Sequence, residues 1–429
     1  MKGQLNLFQV AMLRWRAIHP YNAVHVIRID QPLDAKRLAT AIDATLEQQG
    51  LAGYSLDVSR ERYEYAGGPG TSTLEVLAGA DDPLQVLRSA IERELNRPFP
   101  RDGPFVPFRF FVVDEGPRFH LAMTYDHVIA GGDSIVVLMR DLFAAYTGRE
   151  ESRRAQRQRY PATCARLFRQ QWGAALRGIR RLGEMAASCR RSVRPRYPRG
   201  ADPANAFVNC RIDPPEFAAL LRAAKAWGVT VNDLLMAILL RVLEPHAGER
   251  PETERRRELA VASIVNLRRD FGYDANTTFG QFLSSFRVAH LLPPGMELRQ
   301  LAQDVHAETE RIKRDKLYLA NLVAIGVIGA VWRFLSPAQR QGFYAKNYAA
   351  WGAITMVNVD PLWSGAGGPL PPPEYLRAVS TGPLTPLVIA VTTAAGTLNA
   401  GISYRTAAFA PAVADTIASG IVDAIRRLS

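Results

Sequence analysis

Between Phe119 and Tyr146 the chain changes its apolar period in mid-course, and the change dictates a strand, a turn and a helix in that order. Phe119 to Thr124 alternates large and small apolar residues, and Ile135 to Tyr146 repeats them at helical spacing. Between them runs Tyr125-Asp126-His127-Val128-Ile129-Ala130-Gly131-Gly132-Asp133-Ser134. His127 is therefore predicted at the end of an apolar strand, just before a glycine turn and a new helix. Imidazole titrates near neutrality, at about 6.5 when unperturbed, so a histidine held rigidly there can take a proton from an attacking hydroxyl or amine. The same segment also suits a core histidine bonded to backbone, and these ten residues do not separate the two readings.

The rest of the first half reads as a strand (Ala23 to Asp30), a helix (Leu33 to Gln49), short strands around Tyr54 to Leu77, a helix (Pro83 to Asn96) and a hairpin. The hairpin arms are Pro107 to Val113 and Arg118 to Tyr125, turning at Asp114-Glu115-Gly116-Pro117. After an arginine-rich stretch the pattern restarts. A strand (Phe207 to Asp213) precedes helices Pro215 to Trp227 and Val231 to Leu243. Strands Leu259 to Leu267 and Phe282 to Ala289 and paired helices to about residue 335 follow. Strands near Ala353 to Val359, Glu374 to Val379, Leu387 to Thr393 and Leu398 to Tyr404 lead into a helix from Pro411 to Leu428.

Two echoes relate the halves. Arg28-Ile29-Asp30 followed by a proline and a helix reappears as Arg211-Ile212-Asp213-Pro214 followed by a helix, and the segment Leu121 to Leu138 reappears at Asn399 to Ile417. Aligning Tyr125 with Tyr404 sets Thr406 opposite His127, so only the first half carries a base. At 429 residues the chain is too long for one ordinary core. The expected division is 1–148 for a first subdomain, 149–205 for a linker and 206–429 for a second subdomain.

Residues 149 to 199 hold fifteen arginines, no lysine and three glutamates, which accounts for the whole chain's net charge of +12. Leu167, Phe168, Trp172, Leu176, Ile179 and Leu182 recur in it at helical spacing, predicting a basic amphipathic helix. Such a surface suits an anionic membrane face, an acidic carrier protein or nucleic acid, and it equally suits a solvated linker. No nucleic-acid recognition motif accompanies the charge, which argues against the third partner. Leu317 to Leu335 has only Asn321 and Arg333 as strongly polar residues, but it is flanked by cationic sequence and reads as a buried or interface-lying helix. Cys164, Cys189 and Cys210 form no CxxC pair and no signal peptide is evident, so a reducing cytoplasm is expected, with peripheral contact at the inner membrane face as a further option. No metal is expected.

With the His-x-x-x-Gly-Gly-x-Ser stretch, the duplicated layout and the strand Ser263-Ile264-Val265-Asn266-Leu267-Arg268, the chain resembles the condensation-domain and acyltransferase superfamily. That group includes chloramphenicol acetyltransferase, polyketide-associated acyltransferases, wax ester synthases and nonribosomal peptide condensation domains. Phe279-Gly280-Gln281 and Val357-Asn358-Val359 are softer matches to its glycine-asparagine and serine-asparagine strands. The resemblance implies an α/β fold (an α+β sandwich), with two chloramphenicol-acetyltransferase-like subdomains in a pseudo-twofold V around a central tunnel. It implies an acyltransferase in which His127 activates or positions a hydroxyl or amine against a thioester. The co-substrate would be acyl-CoA or a phosphopantetheinyl thioester on an acyl or peptidyl carrier protein, with no permanently bound cofactor. A hydrophobic small molecule or lipid is the favoured acceptor. No adenylation or carrier motif is evident, so the donor is expected to arrive already loaded.

The chain departs from the family motif, His-His-x-x-x-Asp-Gly, in that Asp126 replaces the first histidine and Gly131 replaces the aspartate. In the family that aspartate pairs with an arginine and fixes the loop. Arg268 is the candidate arginine here and Asp133 the candidate substitute, with Gly132 and Ser134 keeping the motif's register. Asp126 is expected to neighbour the imidazole and raise its basicity. Asn266, Gln281, Thr355 and Asn358 are the candidate tunnel residues. The competing expectation is a degenerate relative that binds an acyl chain or carrier protein and transfers nothing.

Overall fold

In a computed structural model, described for residues 2–79, 81–148, 164–197, 204–248, 255–364 and 372–428, the hairpin Phe108–Asp114 and Phe119–Asp126 forms as predicted, with Gly116 at a φ of 85° in its turn. It sits in a five-stranded sheet ordered Tyr375–Val379, Asn22–Ile29, Phe119–Asp126, Phe108–Asp114, Leu74–Ala78. A six-stranded sheet runs Leu283–His290, Leu259–Asn266, Gly352–Asn358, Leu387–Ala394, Thr397–Arg405, Asn205–Ile212. A small four-stranded sheet built from Lys2–Gln4, Arg62–Tyr65, Tyr54–Asp57 and Gly103–Pro104 lies beside the first. The architecture is the expected α/β arrangement of two related halves.

The two short echoes are structural equivalents. Arg28 and Arg211 each pair with the aspartate two residues on, at 3.0 Å in both cases, and each also grips Glu374, at 2.5 and 2.8 Å. The His127 N–H donates to the Tyr21 carbonyl at 3.2 Å, and the Thr406 N–H donates to the Ala204 carbonyl at 3.1 Å. In each half the residue just past the hairpin is thus pinned to the residue just before the first strand. One strand corrects the expected division of the chain. Tyr375–Val379 lies in the range 206–429, yet it pairs antiparallel with Asn22–Ile29 in the first half's sheet. Its backbone passes so close to the second sheet that a Cβ on Gly401 would stand 1.9 Å from the Arg377 carbonyl oxygen, a contact only glycine allows.

Helix ends follow local chemistry. Asp82 caps Pro83–Asn96 by accepting from the Gln85 N–H at 3.0 Å, and Thr230 with Asp233 forms a capping box on Val231–Leu243. Two capped helices were not expected: Leu7–Ile18, where Asn6 and Gln9 make a capping box, and Pro337–Asn347, opened by Ser336 and Gln339.

The basic segment also departs from expectation. Residues 149–163 and 198–199 of it lie outside the described residues. The remainder forms three short helices, Cys164–Gln170, Trp172–Arg180 and Leu182–Arg191, in place of one amphipathic rod. Leu167 is buried, but Trp172, Leu176 and Ile179 are exposed. The middle helix packs against Tyr318–Trp332 through Gly178, where a Cβ would meet Ala320 at 2.8 Å, so close approach selects its small-residue face and turns the large side chains outward. The apolar run contains the helix Tyr318–Trp332, which packs against Leu7–Ile18 and Leu283–His290. Among the described residues no single helix is long and apolar enough to cross a membrane.

Candidate active site

A cavity of about 100 Å³ lies between the two large sheets. Its wall takes His127, Gly132 and Asp133 from the strand-turn-helix junction, Asn266 and Thr355 from the six-stranded sheet, and Arg377 from the crossing strand. Phe8 and Met12 of the unexpected first helix close part of it.

The strand Phe119–Asp126 delivers His127 to this wall. The imidazole Nδ1 lies 3.0 Å from the Ala130 carbonyl oxygen. A carbonyl only accepts, so Nδ1 carries the proton and Nε2 keeps the lone pair, the form a base requires. The ring stacks on Tyr21 at 5.5 Å and meets Tyr125 edge-on at 5.6 Å. It is 7 % exposed, buried in the wall yet bordering the cavity.

Burial and the positive charge of Arg377 lower the imidazole pKa to about 4, against the opposing pull of the Ala130 hydrogen bond. This corrects the expected role of Asp126. That carboxylate does not raise the basicity of its neighbour. It turns away into an ion pair with Arg16 of Leu7–Ile18 and accepts the Val128 N–H at 3.2 Å. Both partners are buried, and Arg16 also donates to the Arg101 carbonyl at 2.7 Å. Asp126 thereby clamps the histidine loop to the first helix.

The loop around Gly131, where the resemblance predicts an aspartate, is braced by other residues. Arg268 is 5 % exposed, lies over the Phe282 ring at 4.5 Å and donates to the Thr278 carbonyl and hydroxyl at 3.1 and 2.6 Å. Its Nη2 donates to the Ser134 hydroxyl. Asp133 approaches its Nε only to 3.9 Å and accepts chiefly from Asn266. Asp133 therefore supplies charge nearby, while Ser134 makes the direct bond expected of the substitute. Ser134 also donates to the Gly280 carbonyl and accepts from the Gly280 N–H, both at 3.1 Å, which ties the helix Gly132–Thr147 to the other half.

Gln281 and Asn358 do not line the cavity. The Gln281 Nε2 donates to the His127 carbonyl at 3.0 Å and the Ala130 carbonyl at 3.4 Å, bracing the loop from the space an aspartate at 131 would enter. Asn358 is exposed at its strand's end, where its Oδ1 accepts from the Asp360 N–H at 3.2 Å. Thr355 and Asn266 do reach the wall. Sequence reasoning missed Arg377, Tyr21 and Arg16. Arg377 left one signal, a lone charge inside the apolar strand Tyr375–Val379.

No protein-family model and no curated protein matches this sequence. Solved structures do match. The first condensation domain of the calcium-dependent antibiotic synthetase, in complex with a substrate analogue, superposes at a TM-score of 0.71 with 17 % identity, covering 100 % of this chain and 97 % of that one. The EpoB NRPS cyclization-docking bidomain from Sorangium cellulosum gives 0.69 at 14 % identity, covering 100 % and 85 %. The epimerization domain from the third module of tyrocidine synthetase B gives 0.64 at 14 % identity, covering 100 % and 97 %. Over its full length, this chain has the fold of the condensation, cyclization and epimerization domains of nonribosomal peptide synthetases.

Proposed function

We propose that the protein is an acyltransferase that moves an acyl group from a thioester, on CoA or on a carrier protein, to a hydroxyl or amine. The observation that carries this reading is His127 in the wall of a cavity between the halves, with Nδ1 bonded to a carbonyl and Nε2 left as acceptor. There the acceptor's O–H or N–H donates to Nε2 while its heavy atom adds to the thioester carbonyl. The tetrahedral adduct then collapses with release of the thiol, to which the proton passes. Holding both reactants in one enclosed space supplies orientation and excludes water.

A histidine whose pKa is lowered to about 4 is neutral at pH 7, as a proton acceptor must be, but it is a weak base. Positioning of the acceptor therefore carries more of its contribution than early proton removal. The degenerate reading rests on Gly131. Against it stands the replacement bracing by Ser134 and Gln281, which keeps the loop and its imidazole in place.

The test is a panel of acyl-CoA and acyl-pantetheine thioesters offered with alcohol and amine acceptors, with products read by intact mass. Formation of an ester or amide above the uncatalysed background supports the reading. Binding of thioesters without any product supports a scaffold instead.

A further inference from the structure

Arg377 is a fully buried arginine, 2 % exposed. Its Nε donates to the Thr392 hydroxyl at 2.9 Å, and its Nη2 donates to the carbonyls of Val391 at 2.6 Å and Thr355 at 3.1 Å. All three acceptors are neutral. No carboxylate forms an ion pair with it among the described residues: Asp133 in the same wall acts on it only through space, more weakly than burial opposes its charge, and is bonded to Asn266 and near Arg268 instead. A buried guanidinium without a paired counter-charge is disfavoured.

Its remaining nitrogen is free to act. Nη1 has no hydrogen-bond partner among the described residues and lies at the start of the helix Gly132–Thr147, where a Cβ on Gly132 would stand 3.1 Å from it. The missing side chain at 132 leaves that approach open. The Gly132 and Asp133 amides open this sixteen-residue helix and have no partner among the described residues either, so the positive end of the helix meets the guanidinium beside the cavity that His127 borders.

We propose that Arg377 and the amino end of Gly132–Thr147 form a receptor for a carboxylate carried by one of the substrates. Resting on the acyltransfer reading above, this assigns the substrate class: one reactant is an acid, and its carboxylate anchors it while its reactive group lies at His127. A transient oxyanion would leave the arginine uncompensated for most of the cycle, whereas a substrate carboxylate compensates it throughout the bound state. The same anchoring strengthens the base, because the Arg377 charge is one of the forces holding the imidazole pKa down.

The test titrates the full chain with acetate, butyrate and phenylacetate, each beside its amide, and follows the His127 imidazole by NMR. At least one acid is expected to bind about tenfold or more tightly than its amide and to raise the His127 pKa, with both effects lost in Arg377→Met. Should that variant not fold, Gly132→Ala places a methyl against Nη1 and is expected to abolish the preference with the arginine in place, and the wild-type pKa shift needs no variant. A succinyl against a butyryl thioester, used as competitors, shows whether the acyl donor brings the carboxylate. Acids binding no better than amides throughout, or a preference that survives Arg377→Met, overturns the proposal. So does an equal loss of turnover in Arg377→Met with charged and neutral acceptors, which would mark an oxyanion donor. The titrations are read without turnover, so a failure of acyl transfer and a failure of acid recognition are separate results.

Discussion

The Ser134 hydroxyl accepts from Arg268 Nη2 while bonded to both the carbonyl and the N–H of Gly280. One small side chain thus satisfies a donor of the buried Arg268 and joins the two halves. Removing it takes a hydrogen bond from a buried cationic side chain, so Ser134→Ala is expected to lower stability by about 2 kcal/mol, whereas Asp133→Asn, at 3.9 Å from Arg268 and partly exposed, is expected to lower it by about 1 kcal/mol or less. Urea unfolding of the two variants checks the order. A larger loss in Asp133→Asn would show that the aspartate's charge, not the serine hydroxyl, is what chiefly holds Arg268.

The depressed pKa of His127 predicts the direction of an acid effect. The unfolded chain takes up a proton at this residue near 6.5 and the folded chain only near 4, so the unfolded state binds more protons between those values. The stability contribution is complete above about 6.5 and is lost as pH falls toward 4, by about 3 kcal/mol in all. His25, also buried and lowered well below 6.5, acts in the same direction. Stability measured from pH 7.5 to 4 should therefore fall less in His127→Gln than in wild type. Parallel curves would contradict the assignment.

Placing an aspartate at position 131 should harm this chain. A Cβ on Gly131 would lie 3.2 Å from Gln281 Oε1, a buried amide oxygen without a hydrogen-bond partner, and a carboxylate there sets a negative charge against that oxygen's partial one. Gly131→Asp is expected to cost about 2 kcal/mol, and Gln281→Ala in the same chain to recover part of it. Thermal unfolding of the single and double variants measures the coupling, and a stabilising single variant would refute the account of the loop.

The outward-facing Trp172, Leu176 and Ile179 stand among arginines, a surface composition that favours anionic bilayers. The protein is expected to sediment with phosphatidylserine vesicles at low salt and to be released at high salt. Sedimentation unaffected by salt, or none at either salt level, would argue for a solvated linker.

Local order was legible where the cause is local. The Asp82-Pro83 start and the Thr230-x-x-Asp233 box announce their helices, and the change of period after Thr124 announces the junction at His127. The Asn6-x-x-Gln9 box was equally present and marks Leu7–Ile18, whose Arg16 then determines what Asp126 does. That pairing spans 110 positions, and nothing in either neighbourhood specifies the other. The same holds for Tyr375–Val379. Its short apolar run predicts a strand, but the choice of sheet depends on the close passage at Gly401, and that passage is what carries Arg377 into the cavity.

The most direct measurement is the single-turnover rate of acyl transfer by wild type and by His127→Ala, on whichever thioester and acceptor pair yields product, with folding of the variant verified. Loss of a general base or positioning imidazole is expected to lower that rate by about 100-fold or more. Equal rates in the two proteins would contradict the account.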